Sequence, residues 1–312
     1  MHAVIDIVLP VFALIAVGFG FNRLAPIGEL GLRGFTSYTF NIAFSALLFR
    51  AMRNVHLETL DGDILIAYFA AALCVYGLVF VLARILFHLN AAAGAFMALG
   101  GCFSNGLGLG VPLTLNAFGE AGMVPLMMIA AVHSLILLTL TTLIVELHRG
   151  GAGGGGLYRT LGRSVAAMIR HPVLVSIFAG LVWGRIGWTL PEFAETGLKW
   201  LADSAVPCGL IGLGMSLTGI RIGRDLAQTM VMTAAKLLAL PVAVYLMARY
   251  AVNLDPLWVV IATLYAALPT GANVYLLAQK NETYVARTTS VVLVSTGLSV
   301  VTLSVLMALA AG

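Results

Sequence analysis

Charge is what this sequence has least of. Asp, Glu, Lys and Arg together make up 10% of its 312 residues, against about 25% in soluble domains. That shortage excludes an ordinary water-soluble globule, and the mean hydropathy of +1.02 agrees. Cysteine is also scarce: Cys74, Cys102 and Cys208 all fall inside apolar runs. They form neither a disulfide framework nor a metal-ligand pattern, and they read as small buried hydrophobes. No basic stretch precedes the first apolar run and no small-residue cleavage site follows it, so that run is expected to be a retained span. His-Glu-x-x-His, Gly-x-Ser-x-Gly and paired carboxylates at helical spacing are missing too. Neither an enzyme nor a cofactor is expected. A net charge of +4 would suit a nucleic acid, but the basic residues lie between apolar segments, where membrane topology explains them better.

What is present is a succession of apolar segments. A helix needs about 20 apolar residues to cross the hydrocarbon core. On that measure ten spans are predicted, at 4–22, 34–53, 63–87, 93–118, 122–146, 172–187, 197–219, 226–250, 256–279 and 284–311. The sixth is short and contains Arg185. Residues 149–171 hold a glycine run that reads as a flexible linker; with no Gly-Lys-Ser/Thr after it and no strand before it, it lacks the context of a phosphate loop. The chain then divides into repeats at 1–148 and 172–312.

Lys and Arg placement sets the orientation. Arg23, Arg33, Arg84, Arg149, Arg159, Arg163, Arg170, Arg221, Arg224, Lys280 and Arg287 fall on one side, and Arg50, Arg53, Arg185, Lys199 and Arg249 on the other. The bias puts the linker in the cytoplasm and both termini outside. Five spans per half is an odd number, so the second half enters from the opposite face, as an inverted repeat. Residue echoes agree: Asn41 lines up with Asp203 and Ser45 with Pro207.

Two segments are broken by glycine and proline, Ser104-Asn105-Gly106-Leu107-Gly108-Leu109-Gly110-Val111-Pro112 and Leu268-Pro269-Thr270-Gly271-Ala272-Asn273. Lipid cannot satisfy an opened backbone, so such breaks persist only where protein or a wet cavity supplies partners. In corresponding places of two repeats they point to a transporter's substrate site. The glycine run and Pro112 predict unwinding, with amides exposed after each break and carbonyls before it. Ser104, Asn105, Gly108, Pro112, Pro269, Thr270, Asn273 and Tyr275 are the candidate binding residues. Glycines that merely let helices approach closely are the alternative, though that does not account for a Pro and an Asn in both breaks.

Intramembrane charges are functional candidates by default. Lys236 has two readings: it neutralises exposed carbonyls or a carboxylate, or it stands where sodium would bind and loses its proton during transport. Asp203 and Asp6 are candidate proton carriers, Asp6 alternatively a snorkelling interfacial residue. His133 has two readings, a group titrating near neutral pH or, as is commoner for a lone histidine, a buried side chain satisfied by its neighbours.

With these features the chain resembles the auxin efflux carrier family of bacteria and plants, over essentially its whole length. The resemblance is carried by Asn105 to Leu113 with Phe118-Gly119-Glu120, by Ala267-Leu268-Pro269-Thr270-Gly271-Ala272-Asn273-Val274-Tyr275, and by Lys236-Leu237 before Leu240-Pro241. It implies a fold akin to bile-acid and sodium–proton transporters. Spans one, two, six and seven would form a scaffold and the others a mobile domain, with Asn105, Pro112, Pro269 and Asn273 forming the site. Ser45 departs from the family pattern, which often has Pro there, and the short linker lacks the long loop of many plant members. Bacterial relatives are commonly described as malonate or malate permeases. The expectation is therefore a secondary carrier in a bacterial inner membrane, taking a dicarboxylate or an indole-type carboxylate, coupled to a proton or the membrane potential. A homodimer through the scaffold is implied by the family alone. Sodium-coupled transport of a larger amphipathic anion and a non-transporting membrane sensor are the alternatives; no output domain is read after Gly312.

Overall fold

The computed structural model describes residues 2–55, 61–149, 162, 172–218 and 226–310, with side chains from residue 7. The linker at 149–171 lies outside the described residues apart from Arg149 and Gly162, and so does the side chain of Asp6. In chain order the helices are α1 (His2–Leu24), α2 (Gly28–Tyr38), α3 (Phe44–Arg53), α4 (Asp63–Ile85), α5 (Ala91–Gly100), α6 (Val111–Phe118) and α7 (Met123–His148). There follow α8 (Pro172–Ile186), α9 (Glu192–Leu217), α10 (Leu226–Ala234), α11 (Leu240–Leu246), α12 (Pro256–Ala267), α13 (Asn273–Lys280) and α14 (Val285–Ala310). Among the described residues, six helical stretches are long and apolar enough to cross a membrane: Ile7–Leu24, Asp63–Ile85, Gly106–His148, Glu192–Leu217, Leu226–Ala251 and Val285–Leu309. Large apolar side chains such as Phe178 and Val301 stay more than half exposed, at 61% and 63%, which lipid accommodates and water does not. The chain is a polytopic helical membrane protein.

Several helices are joined by π turns. Gly106–Gly110 leads into α6, Ala235–Ala239 into α11, and Thr39–Ala43 connects α2 to α3. Pro112 and Pro241 each follow their π turn by two residues. Proline donates no hydrogen bond and crowds the carbonyl four residues back, and a wider turn removes both conflicts. Ser45 follows its π turn the same way, so this helix is irregular there without a proline.

The helices sort into two groups. α1 lies along α9, and α3 along α8 and α9, while α4 to α7 and α10 to α14 pack mainly among themselves. The first group is held by close backbone approach: a Cβ on Gly18 would meet the Ile211 carbonyl, one on Gly214 the Ile15 carbonyl, and one on Gly180 the Phe49 carbonyl at 2.6 Å. Arg53 and Arg50 pair with Glu195 at 2.7 and 3.3 Å, and Asn22 donates to Thr218 Oγ1 at 2.6 Å. Asn116 on α6 bridges the groups, donating to the Ile7 carbonyl at 3.2 Å. Gly214→Ala is expected to destabilise the first group by about 1–3 kcal/mol, the usual cost of overfilling a close contact. A lowered midpoint of thermal unfolding in detergent is the check.

Candidate functional site

The two breaks meet inside the second group. Residues 101–105 separate α5 from the π turn before α6, and residues 268–272 separate α12 from α13. Ser104 and Thr270 form an antiparallel bridge. The Asn105 N–H donates to the Pro269 carbonyl at 2.9 Å, and the Gly271 N–H to the Phe103 carbonyl at 3.0 Å. Each opened backbone thus supplies partners for the other, as the hydrocarbon interior demands.

Side chains complete the crossing. Thr270 is fully buried; its hydroxyl donates to the Gly100 carbonyl at 2.8 Å, and its N–H to Ser295 Oγ at 3.0 Å. The Ser104 N–H donates to His133 Nε2 at 3.0 Å, and the Ser104 hydroxyl shares a hydrogen bond with the Tyr68 hydroxyl at 3.3 Å. With Nε2 accepting, the His133 ring hydrogen belongs on Nδ1, an atom that is buried without a partner among the described residues. The rings of Phe103, Tyr265 and Tyr68 surround this imidazole at 4.6, 5.2 and 5.7 Å.

Lys236 is fully buried in the π turn before α11, and its ammonium donates to the Ala266 carbonyl in the last turn of α12. In a continuous helix that carbonyl would accept from the Thr270 N–H, which is instead taken by Ser295. Lys236 therefore fills a vacancy made by the break, at the negative end of the α12 dipole.

The glycine run corrects one expectation. Gly106–Gly110 is not unwound: it forms the π turn, and the opening lies just before it. Asn105 O accepts from Leu109 and Gly110, both at 3.2 Å. The N–H groups of Gly106, Leu107 and Gly108 have no intrahelical acceptor, as at any helix start. Asn105 is half-buried at this end, and a Cβ on Gly108 would come within 2.7 Å of Asn105 Oδ1.

A cavity of about 510 Å³ lies beside the crossing. Leu107 and Asn273 reach it from the breaks, Ser134 and Leu138 from α7, Val173 and Ile177 from α8, and Lys280 from the end of α13. Its walls therefore belong to both helix groups. A second cavity of about 310 Å³ holds Asn54, Glu120 and Trp258. Gly119, with φ +59, makes the turn that presents Glu120.

The predicted residues thus divide. Ser104, Pro269 and Thr270 build the crossing, Asn105 and Gly108 stand at the start of one half-helix, and Pro112 lies in the turn that follows. Asn273 opens the other half-helix and is exposed to the cavity. Tyr275 is half-buried on α13 and does not line that cavity. Asp203 is not brought to the site: it pairs with Lys199 at 2.6 Å, with both side chains more than half exposed. His133, Tyr68, Tyr265 and Ser295 belong to the crossing and were not among the predicted site residues. Their signal was a polar group within an apolar segment, which must find a partner when buried.

A family model described as membrane transport protein matches residues 158–307. A protein of Rhizobium meliloti (strain 1021), named as a candidate malonate transporter, is 27% identical over 308 residues, 97% of this chain and 95% of its own length. An uncharacterized transporter of Methanothermobacter thermautotrophicus (strain Delta H) is 24% identical over 304 residues, 96% of this chain and 95% of its own.

Proposed function

Because the chain is a member of the auxin efflux carrier family of membrane transport proteins, we propose that it is a secondary transporter of a small organic anion. The observation that carries this reading is the hydrogen-bonded crossing of two half-helices, with unpaired amides and Asn105 at one start and Asn273 at the other. α5 and α12 have 10 and 12 residues, about 15 and 18 Å at 1.5 Å per residue, roughly half of the ~30 Å hydrocarbon core. Both stop at mid-depth, where a substrate is equally far from either face.

In this mechanism the amides of Gly106 to Gly108 and the Asn105 side chain bind a carboxylate, and Asn273 completes the polar shell. Lys236 balances charge nearby while holding Ala266. The group containing the crossing moves along the group of α1, α2, α3, α8 and α9 as an elevator. The glycine-lined contacts within that scaffold favour a rigid partner for such a movement.

Ten spans in two inverted repeats suit the contacts. The pairs α1–α9 and α3–α8 exchange when the halves are exchanged, as do α4–α5 and α11–α12. Charge placement then puts both termini outside an inner membrane and the Lys280 end in the cytoplasm. A malonate-like dicarboxylate is the first substrate to try, given the name carried by the Rhizobium protein. Coupling to a proton or to the membrane potential is favoured over sodium, because Lys236 already holds the carbonyl end where sodium would bind.

Flux of labelled malonate into proteoliposomes tests the reading. Asn105→Ala should lower it about 10- to 100-fold, the worth of one hydrogen bond to a charged group at about 1.5–3 kcal/mol. Normal flux in that variant removes Asn105 from the site, and wild-type binding without flux favours a sensor. A sodium requirement would replace the coupling proposed here.

A further inference from the structure

The cavity beside the crossing ends at a cation for which the binding shell has no use. Lys280 closes α13, is exposed, and lines the cavity at the opposite end of that helix from Asn273. Seven residues separate the two, about 10 Å along the axis. That offset puts the base of Lys280 two turns of helix away from Asn273, at the opposite end of the cavity wall. Among the described residues Lys280 forms no ion pair.

A second cation is fixed in the same turn. Arg149, at the end of α7, donates to the carbonyl and side-chain oxygens of Asn281 and to Thr283 Oγ1, the last at 3.4 Å. Glu282 belongs to this turn but does not line the cavity. A lysine in a last helical turn suits the helix dipole wherever it points, so that position alone assigns it nothing. What assigns it a role is its place on the wall of the cavity that leads to the crossing, between aliphatic surfaces of Leu135, Leu138 and Leu174. Low-dielectric walls beside charge of one sign focus the field and raise the local concentration of the opposite ion.

We propose that Lys280, backed by Arg149, recruits the anionic substrate on this side of the membrane. It draws the carboxylate into the mouth and releases it to Asn273 and the half-helix amides further in. Lys280 is a positioning residue for capture and stays outside the shell that crosses the membrane. The inference rests on the anion-transport reading above and adds a sidedness to it. When the site faces the other side of the membrane, the substrate enters without passing Lys280.

The test uses the full-length protein in proteoliposomes of uniform orientation, with initial rates of labelled malonate uptake measured separately from each side. Lys280→Gln should raise KM about tenfold from the Lys280 side at low ionic strength, within the range of electrostatic steering, and leave the maximal rate unchanged. The difference should shrink to within about twofold at roughly 0.5 M salt, where the Debye length falls to a few ångströms. Detailed balance makes kcat/KM of Lys280→Gln fall by the same factor from the other side, so sidedness is read from salt: raised on the Lys280 side alone it should erase the difference, and raised on the other side alone it should not. Lys280→Arg should match the wild type throughout. Equal KM values for Lys280→Gln and the wild type overturn the recruiting role while leaving the anion reading intact. A loss that salt on the Lys280 side does not erase, or a fall in maximal rate alone, also overturns it, placing Lys280 in translocation or folding instead. A wild type that moves no organic anion overturns both readings.

Discussion

Gly106→Ala is expected to abolish transport, lowering flux about 100-fold or more, with a lower midpoint of thermal unfolding. An added Cβ would lie against the Tyr265 hydroxyl and 2.6 Å from its ring carbons. Neither side can yield easily. Gly106 opens the π turn tied to the Asn105 carbonyl, and Asn105 is tied in turn to Pro269. The Tyr265 ring is 2% exposed and is wedged against Tyr68 and His133, with centroids at 5.4 and 5.2 Å. Overfilling such a place costs about 1–3 kcal/mol, and here the displacement falls on the amides proposed to hold the substrate. A positional error of that size at a binding centre removes far more activity than stability. Gly110→Ala is the control, since its Cβ would meet mainly Leu268 Cδ1 at 2.7 Å, the end of a side chain that can turn. Its flux should fall far less. Partial recovery of Gly106→Ala by Tyr265→Leu would trace the loss to this one contact, and wild-type flux in Gly106→Ala would refute the crossing as the substrate site.

The location of the two breaks was legible in the sequence because glycine and proline mark where a membrane helix opens. The form of the opening was not. Alternate glycines suggest free backbone dihedrals, yet the positive-φ glycines among the described residues are Gly28, Gly119 and Gly187. Gly106, Gly108 and Gly110 are instead needed for lack of bulk, against Tyr265, Asn105 and Leu268. Only the opposing chain reveals that demand. The same limit hid His133 and Ser295: a single polar residue in an apolar run shows that it needs a partner, but not which one. Asp203 shows the same limit. Its place in an apolar segment marks an intramembrane charge, but the partner it takes, Lys199 one turn earlier at 2.6 Å, is visible only in the folded helix.

Lys236→Met should separate function from stability, with flux falling about 100-fold or more while the unfolding midpoint holds or rises. The side chain is fully buried and its ammonium donates to Ala266, so two terms oppose each other. Losing the donor leaves a buried carbonyl unsatisfied, at about 1–3 kcal/mol. Losing the charge removes a desolvation penalty of several kcal/mol, and replacing buried ions by apolar groups of similar volume is often neutral or stabilising by about 1–4 kcal/mol. The two terms offset one another, so the brace on Ala266 alone gives the fold little net gain from a lysine. Transport does gain from one: a bare anion at mid-depth carries its full charge across the hydrocarbon, and a fixed cation at the crossing offsets part of it. The variant should bind malonate more weakly and carry it poorly in either direction. A destabilised variant would instead make Lys236 chiefly a brace for α12. A stable one with normal flux would show that the charge has no part in transport. Gly106→Ala is expected to lose stability and flux together, so the pair distinguishes the geometry of the crossing from its electrostatics.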